Sequence, residues 1–515
     1  MNRNRNRNNN LTPETKQLIK KSIININMAR KKKHNSNGNI NSIQSINHSR
    51  NTILKTKKHI TTSVKKLNNN ILATTKQSKK QIPTTYISKL IKLYYNNDNV
   101  VNDYLATAHK ITHIFPPQQR IIVIGDIHGD FEVALKCLIL AKCIEYIEPP
   151  PHKTVSSMDV FFNTLNWIGG DTFIVQLGDQ IDRVRPQKWD ANDISRDTAY
   201  EDEGSTLEIF YLFYHLNELA SKYGGRVFSI IGNHEIMNVD GDFRYVSKEE
   251  FYCFKEHLKN VYHRNSKFPY HSRTLKKNKQ KYNSNSNSHN NSHSNSHYKL
   301  PIGYKERLYA FAPTGLCANL IAKNYYTMLQ IGNWLFCHGS PTLHISRNYS
   351  IDLVNNIVAL YLLGVESTDN QLEKHFDEIM EPHTNNTSNT NNTNNTNDST
   401  EKSILWARTF GEKIDTQSQE KQLSLMLDNI LNEHNHTNHT NHNDIVKATH
   451  IAIGHTPQFE QGINSICNGK VWRCDIGMSR AFTPNNSNVE KSKIQVLEIL
   501  IGVPKVLHEL FTNKY

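Results

Sequence analysis

The chain has 515 residues, 37% of them apolar, and carries 61 Lys and Arg against 47 Asp and Glu, a formal net charge of +14. That apolar share falls below the roughly 45–50% of ordinary globular chains, which excludes a chain packed into core along its whole length. The charge is also uneven: residues 1–97 hold 21 of the basic residues and one acid, Glu14, which leaves 40 basic and 46 acidic residues beyond Asn97, a net of −6.

In chain order, residues 1–97 are rich in Asn, Lys, Ser and Thr and are expected to form a disordered basic tail. One α/β domain is expected over 98–515, interrupted by low-complexity insertions at 264–300, 384–400 and 433–444. A long surface insertion costs little, because closure entropy rises only with the logarithm of loop length. Within the domain, short β-branched runs at 120–126, 171–179, 226–233, 331–339, 449–455 and 494–502 predict buried strands that end in Gly-polar turns. The clearest helix is predicted from a Ser205/Glu208 capping box through Leu207, Phe210, Tyr211, Tyr214 and Leu219 to a stop at Gly224-Gly225.

Seven scattered cysteines without a CxxC pair argue for reduced thiols. No segment approaches the ~20 apolar residues that span a bilayer, and MNRNRNRNNN lacks the apolar stretch of a secretory signal. An intracellular, cytoplasmic protein without a membrane partner is expected, and Arg30-Lys31-Lys32-Lys33 offers a nuclear address.

Five of the strand ends carry metal-ligand residue types. Gly125-Asp126-Ile127-His128-Gly129 offers an Asp and a His two apart, which an extended backbone would point to one side. Gly178-Asp179-Gln180-Ile181-Asp182-Arg183 supplies two carboxylates and a guanidinium, and Gly232-Asn233-His234-Glu235 an amide and an imidazole. His338 in Cys337-His338-Gly339 and His455 in Gly454-His455-Thr456-Pro457 complete the set. Each element alone is commonplace, but five in this order, each closing an apolar strand, are hard to obtain by accident.

The run GDIHGD, GDQIDR, GNHE, HG, GHTP resembles the calcineurin-like metallophosphoesterases, specifically the phosphoprotein phosphatase branch. Glu235 fits that branch, since diadenosine tetraphosphatases usually have Asp there, and Pro457 stands where nuclease relatives place a second His. Two stretches, IIGNHEIMNVDGDFRYV (230–246) and the one running from GHTPQ to GKVWRCDIGMSRAF (454–482), resemble the Shewanella-like, bacterial-type protein phosphatases. The resemblance implies a central β-sandwich flanked by helices and a two-metal site. Asp126 and His128 would bind the first ion, Asp179 would bridge, and Asn233, His338 and His455 would bind the second. Two cations about 3.5–4 Å apart acidify a shared water, so the implied reaction is direct hydrolysis of a phosphomonoester. Mixed oxygen and imidazole donors suit Mn, Fe or Zn, with Mn expected in vitro. His234 would be the general acid oriented by Asp182, and Arg183 and Arg408 would bind the substrate phosphate. Val184 replaces a usual Gly, His338-Gly339-Ser340 replaces the commoner HGG, and Ile231 replaces the Arg of eukaryotic members.

The expected partner is a phosphoprotein or phosphopeptide. Two alternatives stand beside it: a dinucleoside polyphosphate or other small-molecule phosphohydrolase, and a nucleic-acid-associated protein acting through the basic tail. With only Tyr86, Tyr94 and Tyr95 as aromatics, that tail offers no stacking platform, so any such binding would be weak, nonspecific and salt-sensitive.

Overall fold

Each of the six apolar runs forms a strand at its expected place in a computed structural model of the chain, which describes residues 85–94, 100–108, 111–145, 155–185, 199–259, 261, 300–365, 370–380, 403–439, 446–482 and 493–509. The strands are β1 (Ile114–Phe115), β2 (Arg120–Ile124), β3 (Ile144–Glu145), β4 (Asn166–Trp167), β5 (Phe173–Gln176), β6 (Arg226–Ile230), β7 (Tyr325–Tyr326), β8 (Met328–Ile331), β9 (Trp334–Cys337), β10 (His450–Ile453), β11 (Asn464–Ile466), β12 (Val471–Arg473), β13 (Ile494–Leu500) and β14 (Val503–Glu509). They make two six-stranded sheets, ordered β14-β13-β2-β5-β6-β7 and β1-β8-β9-β10-β12-β11, with β3 and β4 paired apart. These sheets are the expected central sandwich, and helices flank them.

Register explains why the motifs meet. β2, β5 and β6 run parallel with Ile124 opposite Gln176 and Gln176 opposite Ser229, so their C-terminal ends lie along one edge. β9 and β10 are parallel as well, with Phe336 opposite Ala452, and they present His338 and His455 together. All residues of β5 and β9 are buried, as continuous apolar runs covered on both faces require.

Three expectations change. The Ser205/Glu208 capping box does not form: the helix Thr206–Ser221 starts and ends where predicted, but its N-cap makes no side-chain bond. Ser205 Oγ donates to the neighbouring Glu203 Oε2 at 3.1 Å, and Glu208 Oε1 accepts the distant Tyr86 hydroxyl at 2.7 Å, so each half of the box is taken by another partner. The ordered region begins before residue 98, because Tyr86–Tyr94 is a helix with Tyr86, Ile87, Leu90 and Tyr94 buried on one face. Averaged composition hid that stripe within the Lys- and Asn-rich tail. The 433–444 tract is helical over its first half: the helix Gln417–His439 carries His434 into the core, where its Nε2 meets Gln330 Oε1 at 3.0 Å. The rest of that tract lies outside the described residues, as do residues 1–84, residues 264–299 of the first insertion and all of 384–400.

Candidate metal centre

Three loops and two strand ends converge because glycines let backbones touch. A Cβ on Gly232 would lie 2.2 Å from Asp179 Oδ1, and one on Gly178, at φ +95°, would lie 2.6 Å from the Gly232 nitrogen. His128, Asp179, Asp182 and His455 also hold positive φ, at 47°, 49°, 75° and 69°. Such strain, about 1–3 kcal/mol each, persists only where surrounding structure imposes it, and it clusters at working sites. His128 therefore does not sit on extended backbone as expected. The turn is fixed by Ile127 and His128, whose N–H groups both donate to the Asp179 carbonyl, at 3.1 and 2.9 Å.

Asp179 stands at the middle. Its Oδ2 lies 3.3 Å from His338 Nε2, 3.8 Å from His234 Nε2 and 3.9 Å from His128 Nε2, while Oδ1 accepts the His234 backbone N–H at 3.0 Å. Asp126 Oδ2 is 3.9 Å from His128 Nε2 and accepts the His455 N–H at 3.1 Å. Asn233 Oδ1 is 2.9 Å from His338 Nε2. The structure thus brings all six expected ligands together, and each is no more than 5% exposed. The imidazoles are oriented from behind: His338 Nδ1 is 2.8 Å from the Leu177 carbonyl and His128 Nδ1 3.3 Å from that of Ile181. Donation from Nδ1 to a carbonyl leaves the Nε2 lone pair facing inward, the tautomer a metal needs.

The electrostatics fit cations. Burial, then Asp475 and Asp179, push the Asp126 carboxyl well above its usual range. Burial also works to raise Asp179, but His338, His234 and His128 outweigh it and hold that carboxyl well below. Burial, then Arg185, keep the His128 imidazole well below its usual range, and burial, then His338 and Arg408, do the same to His455. Burial works to lower the His338 imidazole as well, but Asp179 outweighs it and raises that group; His455 Nε2 is a buried nitrogen with no hydrogen-bond partner. Asp179 belongs to two clusters whose ligand atoms lie within 4.8 Å of one another, His128-Asp179-His234 and Asp179-His338-His455, so one carboxylate joins two half-sites. A third trio, Glu208-Cys253-His257, lies elsewhere, and there Tyr86 already bonds one Glu208 oxygen.

His234 Nδ1 is 2.8 Å from Asp182 Oδ2. Asp182 is held in turn by Asn238 Nδ2, at 2.9 and 3.0 Å to its two oxygens, and by Arg307 Nη2 at 3.2 Å. Burial raises the Asp182 carboxyl, while His234 and Arg307 work against that rise. Arg408 lies at the rim, its Nη1 donating to the His455 carbonyl and Thr456 Oγ1, both at 3.2 Å. Arg183 departs from expectation. Its side chain is wholly excluded from solvent, Nη1 lies 2.7 Å from Asp130 Oδ2, and Nη2 donates to the Tyr200 and Glu201 carbonyls at 3.1 and 3.3 Å. A buried carboxylate two residues beyond His128 captures the charge.

Sequence reasoning missed the residues that lock these loops. Glu235 Oε2 accepts the N–H groups of Gly232 and Asp179 at 2.7 and 3.0 Å, and Oε1 that of Gln180 at 2.9 Å, which ties two ligand loops to one carboxylate. Burial, then the Asp179 charge, push its carboxyl up to about 7. Glu250 does the same for the next turn, accepting the N–H groups of Asp182 and Arg183 at 3.0 Å each. Asp475, whose carboxyl burial pushes up to about 6, adds a buried oxygen without a hydrogen-bond partner beside the centre. An acid at the third residue after a helix-opening Gly was the available signal for Glu235. The partners of Arg307 are too distant in sequence to leave one.

The calcineurin-like phosphoesterase family profile matches residues 119–459. Among characterised proteins the chain is 27% identical over 380 residues to Shewanella-like protein phosphatase 2 of Arabidopsis thaliana, covering 71% of this chain and 73% of that one. It is 25% identical over 394 residues to Shewanella-like protein phosphatase 1 of Plasmodium berghei (strain Anka), covering 75% and 76%. Among solved structures it resembles the cold-active protein-tyrosine phosphatase of a psychrophilic Shewanella species, with a TM-score of 0.42 and 18% identity over 77% of this chain and 82% of that one. Among the described residues no helix is long and apolar enough to cross a membrane.

Proposed function

The chain belongs to the calcineurin-like phosphoesterase family, and from that premise we propose that it is a metal-dependent protein phosphatase that hydrolyses phosphomonoesters of proteins without a covalent intermediate. The observation that carries this reading is Asp179, one carboxylate set between three imidazole nitrogens at 3.3 to 3.9 Å that arrive from three separate chain segments. Two relatives named as protein phosphatases, matched over about three quarters of their length, support the substrate class.

Asp126 and His128 would hold one ion, Asn233, His338 and His455 the other, and Asp179 both; nitrogen and oxygen donors together favour Mn, Fe or Zn. When bound, the pair supplies Lewis-acid charge at the phosphoryl oxygens and acidifies water. The protein's own residues provide the rest. His234, with Nδ1 on Asp182 and Nε2 toward the centre, is placed to deliver a proton to the departing serine, threonine or tyrosine oxygen. Asp182 holds the ring plane, and Asn238 and Arg307 in turn hold Asp182. Arg408, anchored on the loop that carries His455, is placed to meet a substrate oxygen at the rim.

The test is phosphate release from phosphoserine, phosphothreonine and phosphotyrosine peptides, and cleavage of dinucleoside polyphosphates to mononucleotides, by the full-length protein with added Mn. Peptide turnover that disappears in Asp179→Asn supports the reading. Turnover of dinucleoside polyphosphates alone would replace the substrate class.

A further inference from the structure

We propose that Arg185, and not Arg183, provides the guanidinium that grips the substrate's phosphoryl group, an inference that rests on the phosphomonoesterase reading above. Arg183 is committed elsewhere. Besides its 2.7 Å pair with Asp130 it is bound by two carbonyls, and Asp130 is also clasped by Arg480, whose Nε and Nη2 lie 2.9 and 2.7 Å from its two oxygens. Turning Arg183 toward the centre would break a wholly buried ion pair, a costly step in low dielectric.

Two residues on, the chain presents a second guanidinium. Val184 is buried, and its N–H donates to the Tyr245 carbonyl at 2.8 Å, which brings residue 185 out beside Tyr245. The Arg185 guanidinium then lies between two rings, 5.3 Å from the Tyr245 centroid and 4.6 Å from that of Phe482. Those rings are the neighbours of the centre: Tyr245 is 4.7 Å from the His234 ring, and Phe482 is 5.4 Å from the His128 ring. Arg185 therefore roofs the space above both imidazoles.

Its nitrogens are unequally used. Nη1 donates to the carbonyls of Asp182 and Val184 at 3.1 and 2.9 Å, and among the described residues Nε and Nη2 make no hydrogen bond. One nitrogen thus anchors the group to the loop that bears Asp182. Nε and Nη2 share one edge of the planar fork, the geometry that binds two oxygens of a phosphate at once. Contact with two rings and the Nη1 anchor hold the group in place before substrate arrives, so little side-chain entropy is lost on binding.

The experiment measures competitive inhibition by inorganic phosphate, with p-nitrophenyl phosphate as reporter, on full-length protein loaded with Mn. Loss of a charge-assisted bond to a charged partner should raise the phosphate inhibition constant of Arg185→Ala roughly 10- to 100-fold. KM should rise with it, while bound Mn and melting temperature stay at the wild-type values. Arg185→Lys, which keeps charge without the fork, should give a smaller rise, and it decides the matter if the alanine variant folds poorly. Millimolar guanidinium should restore part of the phosphate affinity of Arg185→Ala, which a merely structural role would not allow. Arg183→Gln should instead lower the melting temperature and leave the inhibition constant within about twofold. An unchanged inhibition constant in folded, Mn-loaded Arg185→Ala, with an active wild type, overturns the inference alone. A wild type that neither hydrolyses the ester nor responds to phosphate removes the reading beneath it.

Discussion

Replacing Arg307 with Met should damage both stability and proton delivery, and by different amounts for different substrates. The guanidinium is fully buried and donates from Nη2 to Asp182 Oδ1 at 3.2 Å, from Nε to Asn238 Oδ1 at 2.8 Å and from Nη1 to Thr206 Oγ1 at 3.2 Å. Its carbon lies 4.9 Å from the Phe254 ring and 5.0 Å from that of Phe311, contacts that a Met stem largely keeps. The loss is therefore mainly the buried pair, for which removal of one partner costs about 3–5 kcal/mol. The chemical effect travels through Asp182. Burial already pushes that carboxyl up, and without Arg307 it rises further and loses the bond that fixes the oxygens facing His234. General-acid catalysis contributes typically 10²–10⁴-fold, so partial loss should reduce kcat/KM for phenyl phosphate by roughly 10-fold or more. The loss should be several-fold smaller for p-nitrophenyl phosphate, whose leaving group needs little protonation. Urea unfolding of the Mn-loaded protein and steady-state kinetics on the two esters measure both. A stability loss under about 1 kcal/mol, or an equal loss of rate on both esters, would refute the chain of support from Arg307 through Asp182 to His234.

Two further predictions concern the acids that hold the loops. Glu235→Gln replaces an acceptor of three backbone N–H groups with a side chain that can accept on one oxygen only. It should cost about 2–4 kcal/mol and weaken Mn binding roughly 10- to 100-fold, read by Mn titration; unaltered affinity would show that the two loops are fixed by other means. Asp202 accepts from Ser247 Oγ at 2.9 Å and from the Glu249 N–H at 3.1 Å, and burial, then the Glu250 charge, push its carboxyl up to about 6 from 3.8. The folded state then holds its proton more tightly than the unfolded one, so the wild type should lose stability relative to Asp202→Asn as pH rises from 4 to 6, by about 1–3 kcal/mol. Parallel stability curves for the two proteins across that window would count against the buried charge.

The candidate cluster was legible because a strand and its Gly-polar turn are local. Apolar runs locate β2, β5, β6, β9 and β10, and the residues just past them are Asp126, Asp179, Asn233, His338 and His455. What carried no local signal was the choice among partners. Ser205 and Glu208 have capping-box spacing, yet Tyr86, 122 positions from Glu208, takes the carboxylate. Arg183 has the residue type and position for phosphate binding, yet Asp130 claims it. Arg307 reaches Asp182 across 125 positions that include a low-complexity stretch, so no spacing rule connects them. Composition misled at two places for a related reason. A window average over Lys and Asn conceals the stripe Tyr86, Ile87, Leu90, Tyr94, and a His/Asn-rich tract conceals a helix whose His434 is 1% exposed.

The most direct test is to count bound ions and turnover in the same sample: Mn per chain by elemental analysis, and phosphate released from a phosphopeptide, for wild type and Asp179→Asn. The arrangement around Asp179 predicts two ions per wild-type chain and metal-dependent hydrolysis, with loss of ion occupancy and of activity together in a variant that remains folded. A folded wild type that binds no Mn, Fe or Zn, or an Asp179→Asn variant that keeps both ions and full turnover, would contradict it.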